Sequence, residues 1–391
     1  MKGPESQRIL ITNAGTGGGH AYYGQTAEKQ LHKKGYIPSW YEARQDTHDP
    51  RTRAFFEGAN ALYLWGSHGD WRTPVYEWIR SRQNTNNPVL KRAQDELRHI
   101  SQHHDLIISA HAYTAVQTDT PLLLIQGDVH APKDYALPQA NIIAVPTDIA
   151  RSDLLGYGIP EEKIATVDYF VDERVKKREV VHQRFDQLDE GHVHLGILFT
   201  GALPNSHVRL VRETLLPSLA SVRPEKKVQI SVYTFTDRNL AEKFMKQGKN
   251  LGLSTVAYGD DISNGNWDLQ VISGKDARDA NEQLLTALGD PVNPMNVIVT
   301  MAGERFAWIT GVPMYLFSPI NKDNAGANTQ YGIEQDLFPP LSATTYLSEE
   351  LSGDIVSFKK DNKKRVLMAQ ELLPTDGAEN TVTIAEKLLA A

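Results

Sequence analysis

The residues best suited to chemistry stand near the start of the chain. Ile9-Leu10-Ile11-Thr12-Asn13-Ala14-Gly15-Thr16-Gly17-Gly18-Gly19-His20 runs from an apolar strand through three successive glycines into a histidine. Glycine lets backbone N–H groups approach a ligand, and a helix opening near Ala21 aims its positive end at the same place. Gly18 and Gly19 are therefore expected to meet an anion or a polar sugar. His20 adds a group whose ordinary pKa of about 6.5 suits proton transfer at neutral pH. Asp128 and His130, in Ile125-Gln126-Gly127-Asp128-Val129-His130, follow a second apolar run and are rival bases.

Other readings of these residues stand beside the catalytic one. A strand-to-helix turn takes glycine for steric reasons alone, Asp128 can cap a turn, and His130 can make an ordinary backbone hydrogen bond. A phosphate-binding P-loop requires Lys and Ser/Thr after its last glycine, where this chain has His20-Ala21. A dinucleotide fingerprint requires glycine or alanine at His20, although Glu42 lies where a ribose-binding acid would. An NAD site is the lesser alternative.

Short β-branched runs separated by helical patterns must position these groups. They fall at 8–12, 36–41, 106–109, 122–125, 142–145 and 164–167, then again at 194–200, 228–233, 254–257, 269–272, 296–300 and 314–317. This rhythm predicts parallel sheets with crossover helices. The fold expected is α/β, with two Rossmann-like domains facing a central cleft. Residues 1–172 form the first domain, 173–192 a polar linker without clear period, and 193–376 the second domain. Residues 377–391 form a terminal helix capped at Asn380 or Thr381.

Composition narrows the classes. At 391 residues two cores are expected. The absence of cysteine excludes disulfides and thiolate chemistry and fits a reducing cytosol. No apolar run approaches the ~20 residues of a membrane span, and the first residues lack a signal-peptide core. A formal charge of -7 argues against a nucleic-acid partner. His48-Asp49, His103-His104 and His192 with His194 lack the frame of a metal site, so no metal is expected.

The motifs in their order resemble GT-B glycosyltransferases that use UDP-sugars on lipid-linked acceptors: the peptidoglycan lipid-intermediate N-acetylglucosaminyltransferase and the galactosyl- and glucosyl-diacylglycerol synthases. Thr16 to His20, Ala144-Val145-Pro146-Thr147, the turn from Gly158 to Ile164 and Phe170-Val171-Asp172 resemble their acceptor domain. Phe199-Thr200-Gly201, Val297 to Glu304, Thr310-Gly311-Val312-Pro313 and Asn324-Ala325-Gly326-Ala327-Asn328 resemble their donor domain. The loop Gly303-Glu304-Arg305-Phe306 departs from the pattern by being shorter.

The resemblance implies an N-terminal acceptor-side domain, a C-terminal nucleotide-sugar domain, and an inverting transfer of a hexose or N-acetylhexosamine from a nucleotide-diphosphate sugar, with UDP the nucleotide it points to, to a lipid or small-molecule hydroxyl. His20 or Asp128 would act as base. The turn at Gly201 with Asn205 and Ser206 would supply donors to the diphosphate, with Ser206 also a candidate N-cap. Gly303 and Glu304 would meet the ribose, and Asn324 and Asn328 the sugar. Trp65, Trp71 and Trp78, set among arginines, would meet the acceptor and a membrane surface, or else pack in the core. The UDP-sugar is a co-substrate and no cofactor is expected. The location implied is cytoplasmic, peripheral at the inner face of the membrane. Two other functions remain: a UDP-sugar epimerase, which needs carboxylates near the sugar ring and no acceptor channel, and a protein that only binds nucleotide sugars.

Overall fold

The architecture comes from a computed structural model. It describes all residues except 1–2, 16–18, 67–70, 82–87, 200–203, 223–226, 258, 260–266, 304, 320–323 and 354. The described chain divides into two compact units, one of residues 1–66, 71–171 and 374–391, the other of residues 172–373. Each is built on a six-stranded parallel sheet, the mixed α/β architecture of a GT-B-like fold with two Rossmann-like units.

The first sheet contains β1 (Ile9–Asn13), β2 (Ser39–Glu42), β3 (Leu106–Ser109), β4 (Leu122–Ile125), β5 (Ile142–Val145) and β6 (Ile164–Thr166), in the order β2-β1-β3-β4-β5-β6. Ile11 stands opposite Trp40 on one side and Ile108 on the other. Covered on both faces, β1, β3 and β4 are buried at every position. Parallel strands of this kind read as continuous apolar runs rather than alternating ones, which is why Leu-Ile-Ile-Ser and Leu-Leu-Leu-Ile identify themselves.

The second sheet contains β7 (His192–Leu198), β8 (Lys227–Tyr233), β9 (Thr255–Ala257), β10 (Leu269–Ile272), β11 (Val297–Thr300) and β12 (Met314–Leu316), in the order β12-β11-β7-β8-β10-β9. In each sheet the first strand has later strands on both sides, so the order reverses between β1 and β3 and between β7 and β11. Open α/β sheets bind ligands in the crevice beyond the strand ends at such a switch point.

The stretch 173–192 is not a linker. Glu173–Lys176 and Arg178–Asp189 are helices of the second unit, and Asp172 caps the first by accepting from the Arg174 N–H at 3.0 Å. What reads as a polar break is a buried arginine, Arg184. Its guanidinium donates to four backbone carbonyls, those of Met295, Val175, Gly311 and Leu288, at 2.6 to 2.9 Å. The terminal helix Gly377–Ala390 belongs to the first unit and begins earlier than its polar residues suggest, with Asp376 at the N-cap position. Asn380 is free of capping duty and donates to the Val167 carbonyl and the Asp168 carboxylate.

Candidate functional site

The first unit gathers titratable side chains at its switch point. His20 lies in the first turn of the helix Gly19–Lys33, which leaves β1, while His111 follows β3. Their ring centroids are 4.5 Å apart, edge to face. Tyr135, on a short turn after β4, places its hydroxyl 3.3 Å from His20 Nδ1. His111 Nδ1 accepts from the Tyr113 N–H at 3.0 Å, which in the neutral ring puts the proton on Nε2 and makes that nitrogen a donor. Ser109 fixes the same corner by bonding to the His111 carbonyl and the Thr114 hydroxyl, each at 2.9 Å. A donor from β3 thus stands beside an acceptor-capable ring from the helix after β1.

Buried polar groups continue the site. Asn13, the last residue of β1, is fully buried, and neither atom of its amide has a hydrogen-bond partner among the described residues. Buried amides are normally satisfied, so an unbonded one at a switch point is suited to a polar ligand or an ordered water. Asp128 is buried just beyond β4. Gly127 makes that position possible, because a Cβ there would lie 2.0 Å from the Tyr23 ring. Gly15, with φ of +74°, opens the turn after β1.

His130, the other base candidate, has a carboxylate partner. It is largely exposed and its Nδ1 pairs with Asp153 Oδ2 at 3.0 Å, a carboxylate that also accepts from the Ala131 N–H. Gly19 opens the helix that carries His20. Gly18, Gly201 and Glu304 lie outside the described residues, as does the side chain of Asn324.

In the second unit, Asn205 and Ser206 are exposed in the first turn of the helix Asn205–Leu210. Ser206 is not its cap, since the N-cap position is Pro204 and no side chain closes the turn. Their neighbour His207 is buried instead. It donates from Nε2 to the Ser318 carbonyl at 2.8 Å and stacks on Phe317 at 4.7 Å, and burial pushes its pKa down to about 4. Asn328 is buried and donates to the Gly303 carbonyl at 3.3 Å, bracing the turn after β11. Thr300, ending β11, is fully buried with no described partner for its hydroxyl.

Trp71 and Trp78 are exposed, by 68% and 55%, and Trp65 is half-buried, edge to face with Trp71 at 5.7 Å. Among the described residues no helix is long and apolar enough to cross a membrane, and no group of three or more metal-ligating side chains occurs.

The sequence matches no known family profile and no curated protein sequence. Solved structures similar to this one run along almost the whole chain. A protein of Listeria monocytogenes assigned as a UDP-N-acetylglucosamine 2-epimerase matches with a TM-score of 0.54 and 11% identity, over 97% of this chain and 94% of that one. S. aureus MnaA, solved with UDP, matches at 0.53 and 13%, over 97% and 95%. The UDP-GlcNAc 2-epimerase of Neisseria meningitidis bound to UDP-GlcNAc matches at 0.51 and 10%, over 98% and 99%. At such identities the likeness is one of fold.

These neighbours correct the glycosyltransferase reading. The structures that share this fold from end to end include UDP-GlcNAc 2-epimerases, the class the sequence left as its alternative. The motifs that suggested a transferase are turns after parallel strands, which report architecture that different reactions share.

Proposed function

We propose that this protein is an enzyme of UDP-sugars that inverts the configuration at C2 of a UDP-N-acetylhexosamine. The observation that carries the proposal is the gathering of His20, His111 and Tyr135 at the switch point of the first sheet, with Asp128 buried beyond the next strand. The full-length likeness of the fold to UDP-GlcNAc 2-epimerases supports it.

The chemistry demands groups of this kind. C2 of such a sugar is not acidified by a neighbouring carbonyl, so removal of its proton is coupled to departure of the diphosphate from C1. The C2–H electron pair becomes the second bond between C1 and C2, and UDP leaves with the C1–O pair. Reversal, with the proton returned to the opposite face of C2, gives the epimer. Two proton-handling groups are therefore needed, one for each face. We assign base duty to Asp128 or His20, and hydrogen-bond donation toward the sugar to His111 Nε2. No electrons are gained or lost overall, so this route needs no redox cofactor. No hydroxyl acceptor takes part, and Trp65, Trp71 and Trp78 then have no acceptor to bind.

The test is incubation of the purified full-length protein with UDP-GlcNAc, with the sugars separated by chromatography. Appearance of its C2 epimer, with UDP-GlcNAc formed again from that epimer, supports the proposal. Unchanged UDP-GlcNAc at high enzyme concentration overturns it.

A further inference from the structure

We infer that Arg305 anchors the diphosphate of the nucleotide ligand in the second unit, an inference that rests on the UDP-sugar reading above. Arg305 lies in the turn that follows β11, at the switch point of the second sheet, and is only 6% exposed. A guanidinium stays charged at any physiological pH, and burying it is costly unless its donors are satisfied. The second unit contains two other withdrawn arginines whose donors are accounted for. Arg184 spends its donors on the four carbonyls described above. Arg174 pairs with Asp172 at 2.9 Å and with Glu282 through two nitrogens. The Arg305 side chain makes no hydrogen bond and no ion pair to any described residue.

What holds Arg305 is aromatic. Its guanidinium carbon lies 5.3 Å from the Tyr233 ring centre and 5.5 Å from that of Trp308. Ring faces attract a cation but leave its in-plane N–H donors unspent, and those donors match phosphate oxygens two at a time. Tyr233 ends β8, and β7 lies between β8 and β11 in the sheet, so the contact spans the end of the unit's first strand. Asn328 braces Gly303 at the start of the turn, and the Trp308 N–H bonds back to the Arg305 carbonyl at 3.0 Å. The cation is therefore fixed before a ligand arrives, which spares the entropy of ordering it. Thr300, with its buried hydroxyl, ends the strand that leads into this turn. In the proposed reaction UDP gains charge as it leaves C1, and a preordered cation stabilises that charge more than the bound ester.

The test is calorimetric titration of the full-length protein and of Arg305→Met and Arg305→Lys with UDP, uridine and inorganic pyrophosphate, with melting curves to verify folding. We expect Arg305→Met to weaken UDP about 10- to 100-fold and leave uridine unchanged, with Arg305→Lys between. Equal UDP affinity in wild type and a folded Met variant overturns the role of Arg305 while leaving the UDP-sugar reading intact. Arg305-dependent binding of pyrophosphate without any binding of UDP supports the anion site and removes the uridine reading. Binding of neither anion by the wild type overturns both. If the Met variant does not fold, unchanged UDP affinity in Arg305→Lys overturns the bidentate anchor, and a loss of about tenfold or more supports it.

Discussion

Replacing Arg184 by methionine isolates the contribution of a buried cation that has only carbonyl partners. The side chain is fully buried, and burial pushes its pKa down to about 9, so it is still charged at neutral pH. Four hydrogen bonds from a charged donor at ~1.5–3 kcal/mol each amount to roughly 6–12 kcal/mol. Against this stands a desolvation cost of several kcal/mol, which methionine does not incur. The net loss expected for Arg184→Met is about 3–5 kcal/mol, because the carbonyls of Met295, Val175, Gly311 and Leu288 lose their shared donor. For a unit of this size that is a fall in Tm of roughly 6–20 °C in the transition of the second unit. Calorimetry and urea unfolding followed by fluorescence of buried Trp267 and Trp308 would measure it. Arg184→Lys, with a compact head in place of the planar fork, should fall between. A loss under about 1 kcal/mol for methionine would refute the reasoning, since desolvation would then cancel the bonds.

Other outcomes follow from the same physical terms. His194 and His207 are buried, and burial holds both near pKa 4 against 6.5 in the unfolded chain. The unfolded chain therefore binds more protons between these values, so stability is full above about pH 6.5 and is lost as pH falls toward 4, by about 2 kcal/mol per histidine at pH 5. His207→Gln should remove one such share of the loss between pH 7 and 5, and a pH dependence like that of the wild type would contradict this. Gly127→Ala drives a methyl into the Tyr23 ring and should destabilise the first unit by about 1–3 kcal/mol, read by urea unfolding, while shifting Asp128. His111→Gln should lower epimerisation by about 10²- to 10⁴-fold with UDP affinity retained, measured by turnover and calorimetry.

The sheets were legible because strands covered on both faces must be apolar throughout. Leu106–Ser109, Leu122–Ile125, Ile142–Val145 and Leu269–Ile272 begin and end where their β-branched and aliphatic runs do. What misled were charges serving structure. Charges such as Arg184 made residues 173–192 read as a polar linker, since no sequence pattern distinguishes a guanidinium in water from one bonded to four carbonyls. Asn380 resembles a cap but bonds to a distant turn. At the site, the glycine run ending in His20 marked one wall. His111 and Tyr135 stand in turns without a motif, and only the order β1-β3-β4 brings them to His20. Arg305 stood in plain view as a departure from a donor loop. That its guanidinium meets aromatic rings and no described acceptor is a property of three dimensions.

The most direct test of the account is to run the reaction with UDP-GlcNAc in D2O and follow H2 of the sugar by NMR, with UDP release monitored in parallel. The account predicts deuterium at C2 in the epimer and in recovered UDP-GlcNAc, and loss of that exchange in Asp128→Asn or His20→Ala. Transfer of the sugar to an added hydroxyl acceptor with H2 retained would contradict it.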